Sequence, residues 1–413
     1  MERPTHLVAA ALALAAVLPT QQPSANDARR LADAINAFAA DLHPRLVAAK
    51  TPTCSPASIA IALAMMLPGA RGNTGDELAT VLRLPADLRG ERLHAAAGQL
   101  LTSLGLSGKA PRERLHELRF ANDLWTQSGH PIEPAYAAVL RDSFRAEHHD
   151  LSFRDDPDGA RRQINAHIAQ VTNDRIRELL PPGLVTGETR TVVSNALWLK
   201  AGWADEFNAH ATKPAPFHLR QGAPVDVAMM RAVRHCSYAE TPDWQCIVLP
   251  FRAGELVCEV MLPRAGKSLA DAEQALLAGA HRQGMAGQRV DVHLPRFRLA
   301  GHCRLREPLQ ALGLRTAFVA GAADFTGISP KDALVIDDVV HQTWIEVDER
   351  GVEAAAATAS VLAPGSAAPG KLQPPIPFVA DRPFAFTLRH QASTLILFVG
   401  RVEDPRGDAA AGH

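Results

Sequence analysis

The chain reads as an α+β protein, with helices first and strands later. Three observations carry that reading. The first third reads as helix, the chain turns mostly β after about Thr189, and an alternating run at Val340–Asp348 leads into a stretch of very small residues. The length of 413 residues and 47% hydrophobic content allow a sizeable core. A net charge of −1 points to neither a polyanion nor a membrane surface as partner.

Arg3 and His6 precede an apolar run from Leu7 to Leu18, then Pro19–Ala25. A basic start, a short apolar core and small residues read as a secretory signal over residues 1–25, placing the mature chain outside the cell or in a periplasm. The run is too short to span a bilayer comfortably. Asn26–Ala49 is an amphipathic helix. Cys54–Met66 is almost wholly apolar and so belongs inside the fold, with Ser55 as its cap and Pro56 in its first turn. Asn73–Leu78 opens another helix, residues 85–117 hold one or two more around a loose loop, and further helices are expected at 132–145 and 158–170. Leu118–Thr126 and Thr191–Lys200 read as strands. More strands follow at 225–238, 245–250, 255–262, 289–299, 334–348, 384–390 and 394–402, with a helix near 304–312.

The five cysteines (54, 236, 246, 258, 303) show no CxxC spacing and lie mostly in apolar surroundings, so buried free thiols are expected; a Cys246–Cys258 bridge is the one weighed alternative. His148–His149 is not a helical i, i+4 pair, and no metal site is expected. There is no Gly-x-Ser-x-Gly elbow for a serine hydrolase. Lys109, Arg112, Arg114, His116 and Arg119 are interrupted by Glu113 and Glu117, which marks a solvated face rather than a nucleic-acid or heparin site.

The segment Glu349–Thr358 carries most of the functional information. Gly351 accepts backbone angles that other residues refuse. It is followed by Val352, Glu353, Ala354, Ala355, Ala356, Ala357 and Thr358. The alanines suit a helix extension, since alanine is the best helix former. They also suit a strand held in reserve. Read with period two, Val352, Ala354, Ala356, Thr358, Ser360 and Leu362 form an uncharged face fit for burial, while Glu353 lies on the other. Pro364 ends what can join a central ladder, because proline donates no hydrogen bond, so the insertable segment is Val352–Ala363.

The chain resembles the serpins. The resemblance rests on Ser55–Ala60; Val193–Trp203; Phe217; Met229-Met230; Val292–Phe297; Ala323–Ile328; residues 341–358; and Asp381–Phe384, in this order and spacing. It implies a serpin fold with a large five-stranded sheet A that accepts an added strand, two smaller sheets, about nine helices and an exposed reactive loop. The domain would run from 26 to 405, with the loop at about 349–380 and a tail at 406–413. The implied activity is suicide inhibition of a serine protease by a monomer, through a covalent complex and without cofactor or catalysis of its own. Ser55, Ser58, Asn195 and His341 match the polar cluster beneath the middle of sheet A. Trp203, Arg296 and Glu349 match the site where the loop first enters, with a Glu349–Arg296 ion pair expected. For the reactive bond, the family spacing from Glu349 lands on Gly365–Ser366, whereas counting back from Pro383 lands on Lys371–Leu372. The first is favoured because slack beyond Pro364 weakens distortion of the protease. Small apolar surroundings there suit an elastase-like or subtilisin-like target; Lys371 suits a trypsin-like one. A non-inhibitory carrier, chaperone or storage serpin is the alternative, because the loop is long and proline-rich. A hinge of Gly351, Val352 and Glu353 followed by four alanines and Thr358 matches the inhibitory pattern, with Val352 in place of the common threonine or serine.

Overall fold

A computed structural model describes residues 25–105, 116–129, 131–330, 334–352 and 373–407. The N-terminal portion contains α1 (Ala25–Ala48), β1 (Thr53–Cys54), α2 (Pro56–Met66), α3 (Gly72–Val81), α4 (Gly90–Ser103), β2 (His116–Gln127), α5 (Pro134–Val139), β3 (His148–Leu151) and α6 (Pro157–Val171). The middle contains β4 (Thr191–Gly202), β5 (Lys213–Phe217), β6 (Val225–Glu240), β7 (Trp244–Pro250), β8 (Leu256–Pro263), α7 (Leu269–Leu277), β9 (Ala286–Pro295), β10 (Phe297–Arg304) and α8 (Arg306–Leu312). The C-terminal part adds β11 (Val339–Val347), β12 (Gly351–Val352), β13 (Ile376–Val379), β14 (Phe384–His390) and β15 (Ile396–Val402).

Local sequence explains several boundaries. The Ser55 side chain accepts from Ser58 N at 3.2 Å and caps α2, all of whose residues are buried. Asp156 caps α6 in the same way, through Gly159 N at 2.8 Å. The expected helix at 132–145 is α5 followed by one π-helical turn, Leu140–Phe144.

Two hydrogen-bonded sheets form the body of the protein. One has six strands in the order β10-β11-β12-β4-β2-β3, with β11 also pairing directly with β4. The other has nine, in the order β1-β15-β14-β8-β7-β6-β9-β13, with β5 added on β6. The two smaller sheets foreseen from the sequence are joined because β6 is 16 residues long. Its first part pairs with β5 and β9, and its last residues, Ser237–Glu240, pair with β7.

The strand expected at 289–299 is two strands. Pro295 donates no hydrogen bond, and Arg296 N turns aside to Ala228 O at 2.9 Å, so the chain passes from the nine-stranded sheet to the six-stranded one. The strand expected from 334 starts at Val339. The short strands β3, β5 and β13 were not foreseen. Prolines interrupt β5 and β13, and β13 accordingly ends its sheet, while β5 lies outside the main path.

One buried apolar cluster runs from Leu31 to Val402. A smaller one lies beneath α6. There Ile164 and Ile168 meet Ala121 and Trp125 of β2, Ala196 of β4 and Val340 of β11. All five cysteines are free and buried, and burial pushes their thiols up. The considered Cys246–Cys258 bridge is ruled out by register: Cys258 stands opposite Leu249, and Cys246 opposite Met261. Among the described residues no helix is long and apolar enough to cross a membrane.

Candidate functional site

The seam between β4 and β11 is closed at one end and wedged at the other. The two strands pair in parallel from Val339↔Val193 to Thr343↔Leu197. Beyond Thr343 they diverge, and β12 sits between them. Val352 stands opposite both Val347 and Ala201, and Gly351 opposite Gly202. Asp348 turns the chain into this position by accepting from Arg350 N at 2.8 Å and Gly351 N at 3.2 Å. Gly351 has φ +142°, and a Cβ there would stand 2.1 Å from Ala201 O. Only glycine fits. Val352 is already part of the main core.

Beneath the closed end lies the polar cluster expected from the sequence. Ser55 N donates to His341 Nε2 at 3.0 Å, which leaves the proton on Nδ1. Nδ1 then donates to Asn195 Oδ1 at 2.5 Å, and Asn195 Nδ2 donates to Asn122 Oδ1 at 2.8 Å. Ser58 Oγ reaches the same oxygen at 3.4 Å. Burial, with a smaller repulsion from His302, pushes His341 down to about 3, so this ring is neutral in the folded state. Asn122, on β2, is the member that sequence reasoning missed. It faces Asn195 in the β2–β4 register, a pairing visible only once the strands are aligned. Its Nδ2 has no partner among the described residues.

At the wedged end, Arg296 Nε lies 2.9 and 2.8 Å from the two carboxylate oxygens of Glu349. Thr212 donates a further hydrogen bond to Glu349. Burial alone would raise this carboxyl, but the bonds from Arg296 and Thr212 outweigh it and hold it below the usual carboxylate range. The expected ion pair is present and lopsided: Glu349 is buried, while the Arg296 side chain is 49% exposed. Trp203 stacks on Phe251 with ring centroids 4.6 Å apart and donates from Nε1 to Asp348 O at 2.9 Å. Trp203 N and Phe207 N donate to Arg350 O and Glu349 O at 2.8 and 2.9 Å. A cleft of about 740 Å³ opens here, between Phe207, Arg296 and Glu349.

The structure thus brings Ser55, Ser58, Asn195 and His341 together at one end of the seam, and Trp203, Arg296, Glu349, Gly351 and Val352 at the other. Glu353, Ala354, Ala355, Ala356, Ala357 and Thr358, and the proposed bonds Gly365–Ser366 and Lys371–Leu372, lie outside the described residues, as do residues 1–24 and Lys109, Arg112 and Arg114.

The central sheet thus has a seam between β4 and β11, with Gly351 and Val352 seated at one end of it. The Serpin (serine protease inhibitor) family matches residues 33–405, and the chain belongs to the serpins. An uncharacterized serpin-like protein of Thermococcus kodakarensis is 36% identical over 91% of this chain and 85% of its own length. The leukocyte elastase inhibitor of Bos taurus is 34% identical over 85% of this chain and 92% of its own. Among solved structures, Serpin48 of the insect Tenebrio molitor superposes with a TM-score of 0.78 at 26% identity, covering 91% of this chain and 98% of that one.

Proposed function

We propose that this serpin is a suicide-type inhibitor of serine proteases. A target protease attacks the loop as substrate. Its serine forms an ester with the loop carbonyl as the peptide bond breaks, and the freed loop enters the seam before water can release the enzyme. The observation that carries this reading is the position of β12, already paired on both sides with the seam closed ahead of it.

Extending that antiparallel register, each further loop residue meets one residue earlier on β11 and on β4. Ala356 falls opposite Thr343 and Leu197, Thr358 opposite His341 and Asn195, and Leu362 opposite Asp337 and Thr191. The pairs that must part are therefore the five that close the seam. β4 begins at Thr191, which supports an insertion ending near Ala363, before Pro364. Along β4 and β11 the core-facing residues are Val193, Asn195, Leu197, Leu199, His341, Thr343 and Ile345. The inserting residues on that side are Ala354, Ala356, Thr358, Ser360 and Leu362, all uncharged and all small until the last. Thr358 would separate His341 from Asn195, and its hydroxyl can both accept from one and donate to the other. Some twelve new strand residues, at roughly 0.5–1.5 kcal/mol per hydrogen bond, contribute on the order of 10 kcal/mol. The intact form is accordingly metastable and held kinetically.

The bond Gly365–Ser366 and an elastase-like or subtilisin-like target are part of this proposal, as are the single domain 26–405, the monomer, and export directed by residues 1–25. The test is a panel of elastase, subtilisin, trypsin and chymotrypsin scored for SDS-stable adducts, with the released C-terminal peptide sequenced. Adducts with the first two and a new N-terminus at Ser366 are expected; Leu372 would overturn the assigned bond. Ala356→Arg should convert the same protein into a substrate, cleaved and released.

A further inference from the structure

We propose that Asp123, His149 and His167 form a binding site for a divalent transition cation of the zinc class, one that fastens α6 to β2 and β3. The three residues come from three elements and each offers one ligand atom, all within 4.8 Å of one another. His167 Nε2 lies 2.9 Å from Asp123 Oδ2, and His149 Nε2 lies 4.0 Å from Asp123 Oδ1. Ligands at about 2.0–2.2 Å from one tetrahedral ion sit roughly 3.4 Å apart, so side-chain shifts of about 0.5–1.5 Å bring all three onto a common centre.

The surroundings are those of a held site. Asp123 Oδ1 accepts from Glu147 N at 3.0 Å, which aims the carboxylate. The His149 ring stacks on Trp125 at 4.1 Å and 19°, which sets its orientation. His149 Nε2 is buried and hydrogen bonded to no described residue. A buried imidazole nitrogen without a partner calls for one, and here it faces a carboxylate and a second imidazole. The exposed Glu147 carboxylate lies 3.8 Å from the same nitrogen, outside the three-residue group, which leaves a fourth position to water. Two imidazoles and one carboxylate favour zinc, cobalt, nickel or copper over calcium or magnesium, which prefer oxygen-only sites.

The position has a consequence. α6 covers Ala196 of β4 and Val340 of β11, the two sides of the seam. An ion tying His167 of α6 to Asp123 and His149 resists any displacement of α6, and so slows the opening of the seam. That consequence rests on the inhibitor reading; the metal site does not.

The experiment uses the untagged full chain titrated with Zn²⁺ or Co²⁺ alone. Expected are about one equivalent bound, the visible bands of tetrahedral Co²⁺, and slower amide exchange over residues 157–171 when zinc is present. His149→Gln and His167→Gln should each weaken binding at least roughly tenfold, because each removes a ligand. His148→Gln, whose wild-type ring bonds Thr126 instead, should leave it unchanged. No saturable binding, or equal binding in all three variants, overturns the site; unchanged exchange in α6 overturns the fastening. A chain that shows the cobalt bands and zinc-slowed exchange but forms no adduct with any protease sustains the metal site and removes the inhibitor reading alone.

Discussion

The nine-stranded sheet and the seam of the six-stranded sheet are closed by different chemistry. In the first, Glu259 of β8 is buried against Arg389 and Thr387 of β14, at 2.9 and 2.6 Å, and against His281 at 3.1 Å. Glu273 of α7 is likewise buried against Arg401 of β15 and His43 of α1. In the seam the corresponding groups are Ser55, Ser58, Asn122, Asn195 and a neutral His341, with no net charge among them. Separating a buried ion pair strands a charge at a cost of about 3–5 kcal/mol. Separating neutral partners costs about 1–3 kcal/mol for each group left alone, and a passing hydroxyl can replace them. Charges lock the nine-stranded sheet, and exchangeable neutral groups close the seam that the proposed inhibition would open.

The largest effect expected from this contrast comes from cleaving the loop. A nick within residues 362–366 should raise the unfolding midpoint by on the order of 10–20 °C, corresponding to the added strand. An unchanged midpoint would favour a non-inhibitory serpin. Next is Glu259→Ala, which leaves Arg389 buried and uncompensated. It should lower the first urea transition by about 3–5 kcal/mol in both the intact and the cleaved protein, because this contact does not take part in insertion.

Seam variants should behave otherwise. Asn195→Ala removes the acceptor of His341 Nδ1 and should cost the intact form about 1–3 kcal/mol. The cleaved form should lose less, since Thr358 then supplies an oxygen; equal losses would break the comparison. His341 also carries a pH signature. Its folded value is about 3, against about 6.5 for an unfolded histidine. Between those values the unfolded state binds more protons, so the stabilisation is full above pH 6.5 and fades as pH falls toward 3, at up to about 1.4 kcal/mol per unit. Unfolding midpoints of the wild type and His341→Gln should converge on acidification.

The smallest effect belongs to Arg296→Ala. Its guanidinium is half exposed, so losing the bond to Glu349 should cost about 1 kcal/mol, and less as salt rises from 0.1 to 1 M.

Much of the site was legible because its parts are short and local. Ser55-Pro56 marks a capped helix start, and Gly351 followed by small residues marks a hinge. Of the face read from the alternation in Val352–Leu362, Val352 is seated in the core, and the rest lies outside the described residues. Other features were not legible, for reasons of distance along the chain. Asn122 enters the polar cluster only through the β2–β4 register, 73 residues from Asn195. Asp123, His149 and His167 share no motif spacing, since three separate elements deliver them. The split at Arg296 reflects a change of sheet, which strand periodicity does not record.

Sequence alone determined the Ser55 cap and the need for glycine at 351, which depend on residue type within a few positions, and the membership of the family, which depends on short motifs kept in order along the chain. Only the tertiary structure decided which groups close the seam, how deeply Glu349 is buried and which side chains converge beneath α6. Those outcomes depend on register and packing between segments far apart in the chain, where one residue of slip would turn every side chain to the opposite face.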